Sequence, residues 1–281
     1  MKIELVNNLV FAHYEGIKWQ IEQVINGNSD QLWVATSHPD LLALVINLGI
    51  DPKKVYDIQA ARYLNDKPPK TELYWSDVKL PNHAQRHVNE DWTTSIIDRG
   101  QEIGQMKWFK NSNRIIEEVT WLDFDGIIDR KEVYQRDGQL FAIHFYNQNE
   151  PLQIDYFFGT GKLKMSEFFY EGQVNFVKDY DRKYETDGND SHIKTILEKK
   201  FNDNAYTISM IGRELDFAPK GTTLKIPYNV IEEDGKILPS LVDAIENPRE
   251  NIEKIIVDSN TKAELAKQKL DKPFVDSVNK W

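Results

Sequence analysis

The sequence predicts an α/β protein that carries an inserted antiparallel β-meander. Apolar strands and amphipathic helices alternate before residue 110 and again after residue 183. Such alternation is typical of a parallel sheet covered by helices. Between these stretches, short segments rich in aromatic residues are divided by closely spaced turn sequences, most of which contain glycine. Glycine readily adopts the positive φ of tight hairpin turns, so the middle stretch is predicted to form hairpins.

The first α/β segment is predicted to alternate strands with helices. Short, mostly apolar runs predict strands over residues 1–6, 31–36 and 54–57. Apolar side chains recur every third or fourth residue over 15–26 and 39–49, which predicts helices there. A glycine at the end of the second run is typical of a helix end.

The middle stretch, from Arg114 to Asp179, is predicted to form six antiparallel strands, each paired with the next. Its turns are spaced about eleven residues apart, close to the spacing of a hairpin meander. The turn sequences are Asp125-Gly126, Asp137-Gly138, Asn149-Glu150-Pro151, Gly159-Thr160-Gly161 and Glu171-Gly172.

After the meander, the α/β alternation resumes. Ser191 has the character of an N-cap for a helix over residues 192–201. Strands are predicted over 205–211, 223–226 and 252–258, and further helices over 238–245 and 261–270.

These patterns divide the chain into three parts. Residues 1–110 form the first α/β segment, 111–182 the inserted sheet and 183–281 the second α/β segment. The stretch between residues 59 and 105 shows weaker patterns. It contains a proline-rich linker signal at residues 67–70.

Composition restricts the possible functions. A net charge of −10 argues against nucleic acid as a partner, because phosphate binding needs a basic surface. The absence of cysteine excludes disulfides and thiolate metal sites. We find no apolar run typical of a signal peptide or a membrane span. A cytoplasmic protein is therefore expected, with peripheral attachment to the cytoplasmic face of the membrane as an alternative.

No motif predicts catalysis, and we expect neither a metal nor a cofactor. Residues 123–125 have the D-x-D form of metal-dependent sugar-nucleotide transferases, but the glycine that follows favours a hairpin turn. His83 and His87 would share one side of a helix, yet no third ligand accompanies them, so we expect them to face solvent. Loops at 212–214 and 220–223 offer only a weak phosphate-binding signal, because no glycine-rich motif is present.

Both faces of the predicted meander carry large apolar side chains. Over residues 140–146 and 152–158, aromatic residues occupy both alternation classes, and charged residues are mixed into one of them. A sheet with one wet face usually alternates apolar and polar residues. The second face is therefore expected to be covered, either by the rest of the same chain or by another polypeptide.

The meander and the segment after it resemble a known family. Residues 119–147, VTWLDFDGIIDRKEVYQRDGQLFAIHFYN, are similar to the V-x-W-L-D … R-x-x-Y-N-R-x-G-x-L lead-in to that family's extended β-sheet domain. Residues 223–229, TLKIPYN, are similar to its later D-E-I-P-G-N-M segment. The family is the GtfB-type, non-catalytic stabilising subunit of the accessory Sec system's peptide N-acetylglucosaminyltransferase, which glycosylates serine-rich repeat adhesins.

The resemblance implies a Rossmann-like half of a GT-B-type glycosyltransferase fold with an inserted extended sheet. It implies that the second GT-B half is absent from these residues. It further implies a chaperone that is not itself an enzyme and that binds a Ser/Thr-rich adhesin acceptor. Its partner in a hetero-oligomer would be the catalytic glycosyltransferase, which transfers GlcNAc from UDP-GlcNAc.

The exposed residues of the meander are the candidate binding site, although the sequence leaves open which alternation class faces solvent. We expect acceptor or partner contacts from Trp121, Arg130, Tyr134, Arg136, Phe141, His144, Tyr146, Tyr156 and Phe158. Two alternative functions remain. One is an active GT-B-type glycosyltransferase that uses UDP-GlcNAc. The other is a MORN-like or antitoxin repeat module, whose repeats also read Y-x-x-D/N-G-x-L.

Overall fold

The computed structural model of the protein describes residues 1–64, 71–112, 114–200, 203–279 and 281. The chain divides into two units. Met1–Asp66 together with Ile193–Trp281 form the α/β unit, and Lys67–His192 form the extended-sheet unit. The predicted α/β fold with an inserted antiparallel sheet is confirmed at this level. Among the described residues, no helix is both long and apolar enough to cross a membrane.

Strands predominate in the described residues. In chain order the strands are β1 (Lys2–Val6), β2 (Gln31–Val34), β3 (Val55–Asp57), β4 (Arg62–Tyr63), β5 (Ala84–Val88), β6 (Thr94–Asp98), β7 (Gln101–Trp108), β8 (Ile116–Leu122), β9 (Ile128–Tyr134), β10 (Leu140–Asn147), β11 (Glu150–Tyr156), β12 (Met165–Tyr170), β13 (Gln173–Asp179), β14 (Tyr184–Thr186), β15 (Ala205–Ile208), β16 (Thr222–Lys225), β17 (Ile252–Asp258) and β18 (Val275–Val278). The helices are α1 (Glu15–Ile25), α2 (Leu41–Asn47), α3 (Gly188–Lys200), α4 (Glu214–Phe217), α5 (Pro239–Glu246) and α6 (Ser259–Lys267).

The sheet of the α/β unit is doubly wound. Its strand order is β18-β17-β16-β15-β1-β2-β3-β4, and every pair is parallel except β3–β4. The chain builds outward from β1 to β3 and later continues on the other side of β1 with β15. The topological switch point therefore lies between β1 and β15.

Apolar helix faces cover this sheet. On α1, Ile17, Ile21 and Val24 are buried, at the helical spacing that the sequence shows. They belong to the same core cluster as Leu32 and Val34 of β2. Strands buried in this way need apolar residues at consecutive positions, which explains why short apolar runs predicted them correctly.

The extended-sheet unit contains ten antiparallel strands in sequence order, from β5 at one edge to β14 at the other. The sequence predicted six strands and a sheet beginning at residue 111. The structure begins the sheet at Ala84, because β5, β6 and β7 pair continuously with β8. Exposed polar residues dominate the edge strand β5, so its hydrophobic pattern is too weak to predict a strand.

Two elements also begin at residues other than those predicted. A turn was predicted at Asn149-Glu150-Pro151, whereas the two turn residues are Gln148 and Asn149, with φ of 50° and 65°. Two consecutive residues with positive φ are typical of the type I′ turn in a two-residue hairpin, which lets Glu150 begin β11. Helix α3 begins at Gly188, so Ser191 lies inside its first turn and is not its N-cap.

Candidate functional site

The register of the extended sheet separates its side chains into two faces. Residues opposite each other on neighbouring strands point to the same side of a sheet. Trp121 is opposite Arg130, and both lie on what we call face A. Lys131 is opposite His144, and both lie on the other side, which we call face B. The candidate residues are therefore distributed over both faces.

Three candidate residues of face A converge on one carboxylate, that of Glu132. The indole Nε1 of Trp121 donates to Glu132 Oε1 at 3.0 Å, and Arg130 Nε donates to the same oxygen at 3.3 Å. The hydroxyl of Tyr134 donates to Glu132 Oε2 at 2.8 Å. The guanidinium carbon of Arg130 also lies 5.4 Å from the centre of the Trp121 ring. Glu132 was not among the predicted site residues, although its place between Arg130 and Tyr134 on an alternating strand is a usable signal.

Tyr134 keeps its proton in this cluster. Burial raises the pKa of Tyr134 well above its ordinary value, and the hydrogen bond to Glu132 raises it further. The hydroxyl therefore keeps its proton and donates a hydrogen bond to Glu132 Oε2. Because charge-assisted hydrogen bonds are stronger than neutral ones, the three donors hold a defined arrangement.

A groove of about 750 Å³ opens beside this cluster, between face A and the segment 73–81. Val78 of that segment is buried against Ile96, Met106 and Val119 of the sheet. Arg86 fastens the segment by donating to the carbonyl oxygens of Trp75, Ser76 and Val78. The groove is lined by Leu73, Asp77, Val78, Lys79, Leu80, Pro81, Ile103, Trp121, Leu122, Asp129, Arg130, Glu132, Tyr134 and Gly138.

Gly138 is required where the segment passes over the β9–β10 turn. Its φ is +74°, and a Cβ atom at this position would lie 2.8 Å from the backbone nitrogen of Leu73. Any other residue would therefore meet both backbone strain and a steric collision. One wall of the groove is fixed by this contact.

Face B holds two further candidate residues, His144 and Tyr146. Lys131 pairs with Glu118 at 3.3 Å and lies 5.9 Å from the ring centre of Tyr146. Burial lowers the pKa of His144, Lys131 acts in the same direction and Glu118 opposes them. The imidazole is therefore neutral at pH 7. Both residues keep some exposed surface, but they do not contact the Glu132 cluster.

Phe141, Tyr156 and Phe158 form an aromatic cluster that stabilises the sheet, which corrects the expectation that they are exposed. Phe141 and Phe158 are only 4% and 2% exposed. The Tyr156 ring stacks on Phe158 at 5.3 Å and meets Phe141 edge-on at 5.9 Å. A β-bulge between Leu140 and Ala142 brings Phe141 into this cluster, and the sequence alone does not reveal the bulge.

The polar end of Tyr156 is also occupied within the chain. Its hydroxyl donates to Glu167 Oε2 at 3.0 Å, and Glu167 Oε1 accepts from Asn189 at 2.7 Å. Burial and the nearby Glu167 carboxylate raise the pKa of Tyr156 well above its ordinary value. This part of face B is covered by the protein's own residues.

Arg136 contacts the β7–β8 connection. Its guanidinium lies 4.6 Å from the ring centre of Phe109 and donates to the carbonyl oxygen of Lys110 at 3.4 Å. It therefore packs against the end of the sheet.

Residues 123–125 form the turn that the sequence favoured. Asp123 Oδ1 accepts from the backbone nitrogens of Asp125 and Ile127, at 2.9 and 2.8 Å. His87 lies on strand β5 opposite Ser95, so the helical arrangement with His83 does not exist. Within the described part of the chain, no three His, Asp or Glu side chains are grouped to hold a metal ion.

In the α/β unit, a carboxylate stands at the switch point of the sheet. Glu214 is 5% exposed, and its Oε1 accepts from the backbone nitrogen of Asn7 at 3.1 Å, at the carboxyl end of β1. Doubly wound sheets bind ligands at this end, often through backbone nitrogens that hold a phosphate. Here the Glu214 side chain already occupies the Asn7 nitrogen.

Together, the doubly wound unit and the extended sheet define an α/β protein with the fold of GT-B-related, glycosyltransferase-like structures. The pneumococcal O-GlcNAc transferase GtfA in complex with UDP and GlcNAc is 11% identical, with a TM-score of 0.71 over 99% of this chain and 60% of that one. A GtfA/B complex bound to UDP and GlcNAc is 13% identical, with a TM-score of 0.66 over 98% and 61%. The complex of accessory secretory protein 1, 2 and 3 from Streptococcus pneumoniae is 13% identical, with a TM-score of 0.70 over 100% and 62%.

The family match is more specific. Residues 88–185 match the GtfB middle domain, and this range contains β6 to β13 with the Glu132 cluster. The resemblance of the inserted sheet to this family is thereby confirmed over these residues. The chain spans about three fifths of the length of the solved structures that it resembles. A comparison with curated proteins gives no match.

Proposed function

We propose that this protein is the non-catalytic partner of a protein O-glycosyltransferase and that it holds a Ser/Thr-rich polypeptide on face A of its extended sheet. The observation that carries the proposal is the match of residues 88–185 to the GtfB middle domain, because this range is the sheet that presents the Glu132 cluster. The α/β unit then serves as a Rossmann-like half of a GT-B architecture. Its strand order on both sides of β1 supports that assignment.

The chemistry of face A suits a polypeptide rich in hydroxyl groups. Trp121 offers a large, rigid surface, and such aromatic surfaces provide contact area at low cost in conformational entropy. Arg130 has a side-chain exposure of 38%, and its Nη1 pairs with Asp129 at 3.1 Å, so its remaining N–H groups can donate to backbone carbonyls. Glu132 can accept from serine or threonine hydroxyls through its remaining lone pairs. None of these contacts requires a particular side chain beyond a hydroxyl.

A partner would supply the transfer chemistry. Solved structures with this fold include a GtfA/B complex bound to UDP and GlcNAc, so assembly with a catalytic chain is compatible with the fold. We propose that the complex acts in the cytoplasm, with peripheral attachment to the membrane as the alternative. The Asn7 nitrogen at the switch point already donates to Glu214 Oε1, which supports a role without a bound nucleotide.

A second candidate function is glycosyl transfer from UDP-GlcNAc by this chain itself. The structural likeness to the O-GlcNAc transferase GtfA, with a TM-score of 0.71, favours it. The two candidates differ in where the donor sugar binds.

A reconstituted transfer assay separates the two candidates. Labelled UDP-GlcNAc and a Ser/Thr-rich polypeptide are supplied with a catalytic GtfA-type chain, with this protein, or with both. We expect transfer only in the presence of the catalytic chain, and an increase when this protein is added. Transfer by this protein alone would establish the second candidate, and no effect on the catalytic chain would contradict the first.

The Trp121→Ala variant tests whether the polypeptide binds on face A. Loss of the ring is expected to weaken polypeptide binding about tenfold, in the range of an aromatic contact at the centre of an interface. Trp92→Ala is the matched control, because Trp92 is 67% exposed on the β5–β6 turn and does not line the groove.

A further inference from the structure

A row of six residues crosses the extended sheet on face A. Their register partners connect strand by strand from β8 to β13. We call these residues the cross-strand row, and they are Trp121, Arg130, Phe145, Gln153, Phe168 and Phe176. Aromatic and polar residues alternate over the first five positions. The row therefore runs perpendicular to the strands.

Every residue of the row is partly exposed. Arg130 lies over Trp121, and the rings of Phe168 and Phe176 are in contact at 5.8 Å. The side-chain amide nitrogen of Gln153 donates to Asp155 Oδ1 at 2.7 Å. This bond fixes the orientation of the amide, and the amide oxygen can accept a hydrogen bond from a ligand. The row thus offers rings separated by groups that hydrogen-bond.

The spacing of the rings matches one particular polypeptide conformation. Neighbouring strands lie about 4.8 Å apart, so the backbone positions of Trp121, Phe145 and Phe168, on every second strand, lie about 9.6 Å apart. A polyproline II helix advances about 9.3 Å in one turn of three residues. Residues i and i+3 of that helix point to the same side. In a β-strand, residues three apart point to opposite sides.

We propose that the cross-strand row binds the Ser/Thr-rich polypeptide in the polyproline II conformation, running across the strands. This inference rests on the proposed function and specifies how the acceptor is held. Every third residue lies over one of the rings Trp121, Phe145 and Phe168. Arg130 and Gln153 hydrogen-bond to the backbone and hydroxyls between them.

This arrangement has a consequence for glycosylation. Polyproline II has no internal hydrogen bonds and is a major conformation of unfolded chains, so a low-complexity Ser/Thr-rich polypeptide adopts it at low cost. With three residues per turn, one faces the sheet and two face solvent. About two of every three hydroxyl side chains therefore stay accessible to a catalytic partner.

The row also sets the length of polypeptide that it can bind. Trp121 and Phe168 are separated by four strand spacings, about 19 Å, which corresponds to about six residues of polyproline II. Phe176 extends the row to about 24 Å, or about eight residues. Affinity is therefore expected to rise with peptide length and to level off at about nine residues.

The test measures fluorescence anisotropy of labelled Ser/Thr-rich peptides of about three, six, nine and twelve residues with the full chain. We expect Phe145→Ala and Phe168→Ala each to weaken binding of the nine-residue peptide about fivefold, through loss of one ring contact. Leu152→Ala is the matched control, because Leu152 is 48% exposed and is not a member of the cross-strand row. The control is expected to change affinity by less than about twofold.

Three outcomes would overturn the proposal that the row binds a Ser/Thr-rich polypeptide. If the wild type binds the peptides and both Phe variants bind equally well, the row is wrong and the proposed function stands. If the wild type binds no Ser/Thr-rich peptide of any length, the proposed function fails and the row with it. If a proline-rich peptide of equal length binds about tenfold more tightly, the ligand is a proline-rich segment. Phe145→Leu, which keeps apolar volume without a ring, replaces the alanine variant if that variant does not fold.

Discussion

The indole nitrogen of Trp121 donates to Glu132 Oε1 at 3.0 Å, and this bond sets the orientation of the Trp121 ring on face A. The two residues lie on neighbouring strands, β8 and β9. Arg130 shares the same oxygen at 3.3 Å and lies over the ring. A ring held in this way has lost its freedom before any ligand arrives, which lowers the entropic cost of binding.

Removal of the Glu132 carboxylate should destabilise the extended sheet. Glu132→Ala leaves three partly buried donors without their acceptor, so we expect the free energy of unfolding to fall by about 1–3 kcal/mol. Glu132→Gln keeps an acceptor oxygen and should cost less. Urea unfolding followed by tryptophan fluorescence measures both. Glu90→Ala is the control, because Glu90 is an exposed turn residue. Equal stability of E132A and wild type would contradict a stabilising role for the Glu132 cluster.

Two glycine variants measure how tightly the segment 73–81 is held. Gly126 and Gly138 both have positive φ, of 78° and 74°, but a Cβ atom meets nothing within 4 Å at Gly126 and lies 2.8 Å from Leu73 N at Gly138. Gly126→Ala should cost about 1 kcal/mol through backbone strain alone. Gly138→Ala should cost more and should increase proteolysis within the segment. Equal unfolding free energies for the two variants would show that the segment does not press on the turn.

The aromatic cluster of Phe141, Tyr156 and Phe158 should matter for stability. Phe158→Ala removes a ring that is 2% exposed, so a loss of about 3–5 kcal/mol in unfolding free energy is expected. Phe124→Ala is the matched control, since that ring is 86% exposed and should be lost without measurable effect. Thermal unfolding of both variants checks this. A Phe158→Ala protein as stable as wild type would contradict the burial of Phe158 in this cluster.

His192 makes stability depend on pH. It is fully buried, neither ring nitrogen has a hydrogen-bond partner among the described residues, and burial lowers its pKa from 6.5 to about 4. Asp179, whose carboxylate lies 3.6 Å away, opposes this shift, and Arg182 adds to it. Because the unfolded chain binds the proton more readily than the folded one, stability present above pH 6.5 is lost as the pH falls towards 4, by up to about 3 kcal/mol.

His192→Phe should remove this contribution and flatten the stability profile between pH 6.5 and 4. The measurement is urea unfolding at a series of pH values. His83→Phe, at an exposed position, should keep the wild-type profile. Parallel profiles for wild type and H192F would mean that His192 does not titrate in this range.

The fold was largely predictable because its signals are local. Apolar runs such as residues 31–34 and amphipathic helices such as α1 are specified by their own residues. The turns at Gly126, Gly138 and Gly172 were predictable because tight turns select glycine, and all three have positive φ. Strand β5 was missed because it is an exposed edge strand, and such strands carry little hydrophobic pattern.

The binding face was harder to predict, because it depends on register. Trp121, Arg130 and Tyr134 were predicted as site residues, and they meet only because β8 and β9 pair in one register. The bulge that carries Phe141 into the aromatic cluster is a feature of pairing between strands, which no single strand reveals. The cross-strand row likewise exists only after six strands are aligned.

Photo-crosslinking tests the central claim most directly, because it locates the polypeptide on the surface of the protein. A Ser/Thr-rich polypeptide with a photoactivatable residue at each third position is crosslinked to the full chain, and the sites are identified by mass spectrometry. We expect crosslinks to β8, β10 and β12, at or beside Trp121, Phe145 and Phe168. Crosslinks confined to face B or to the α/β unit, with none on these three strands, would contradict the assignment of face A as the acceptor surface.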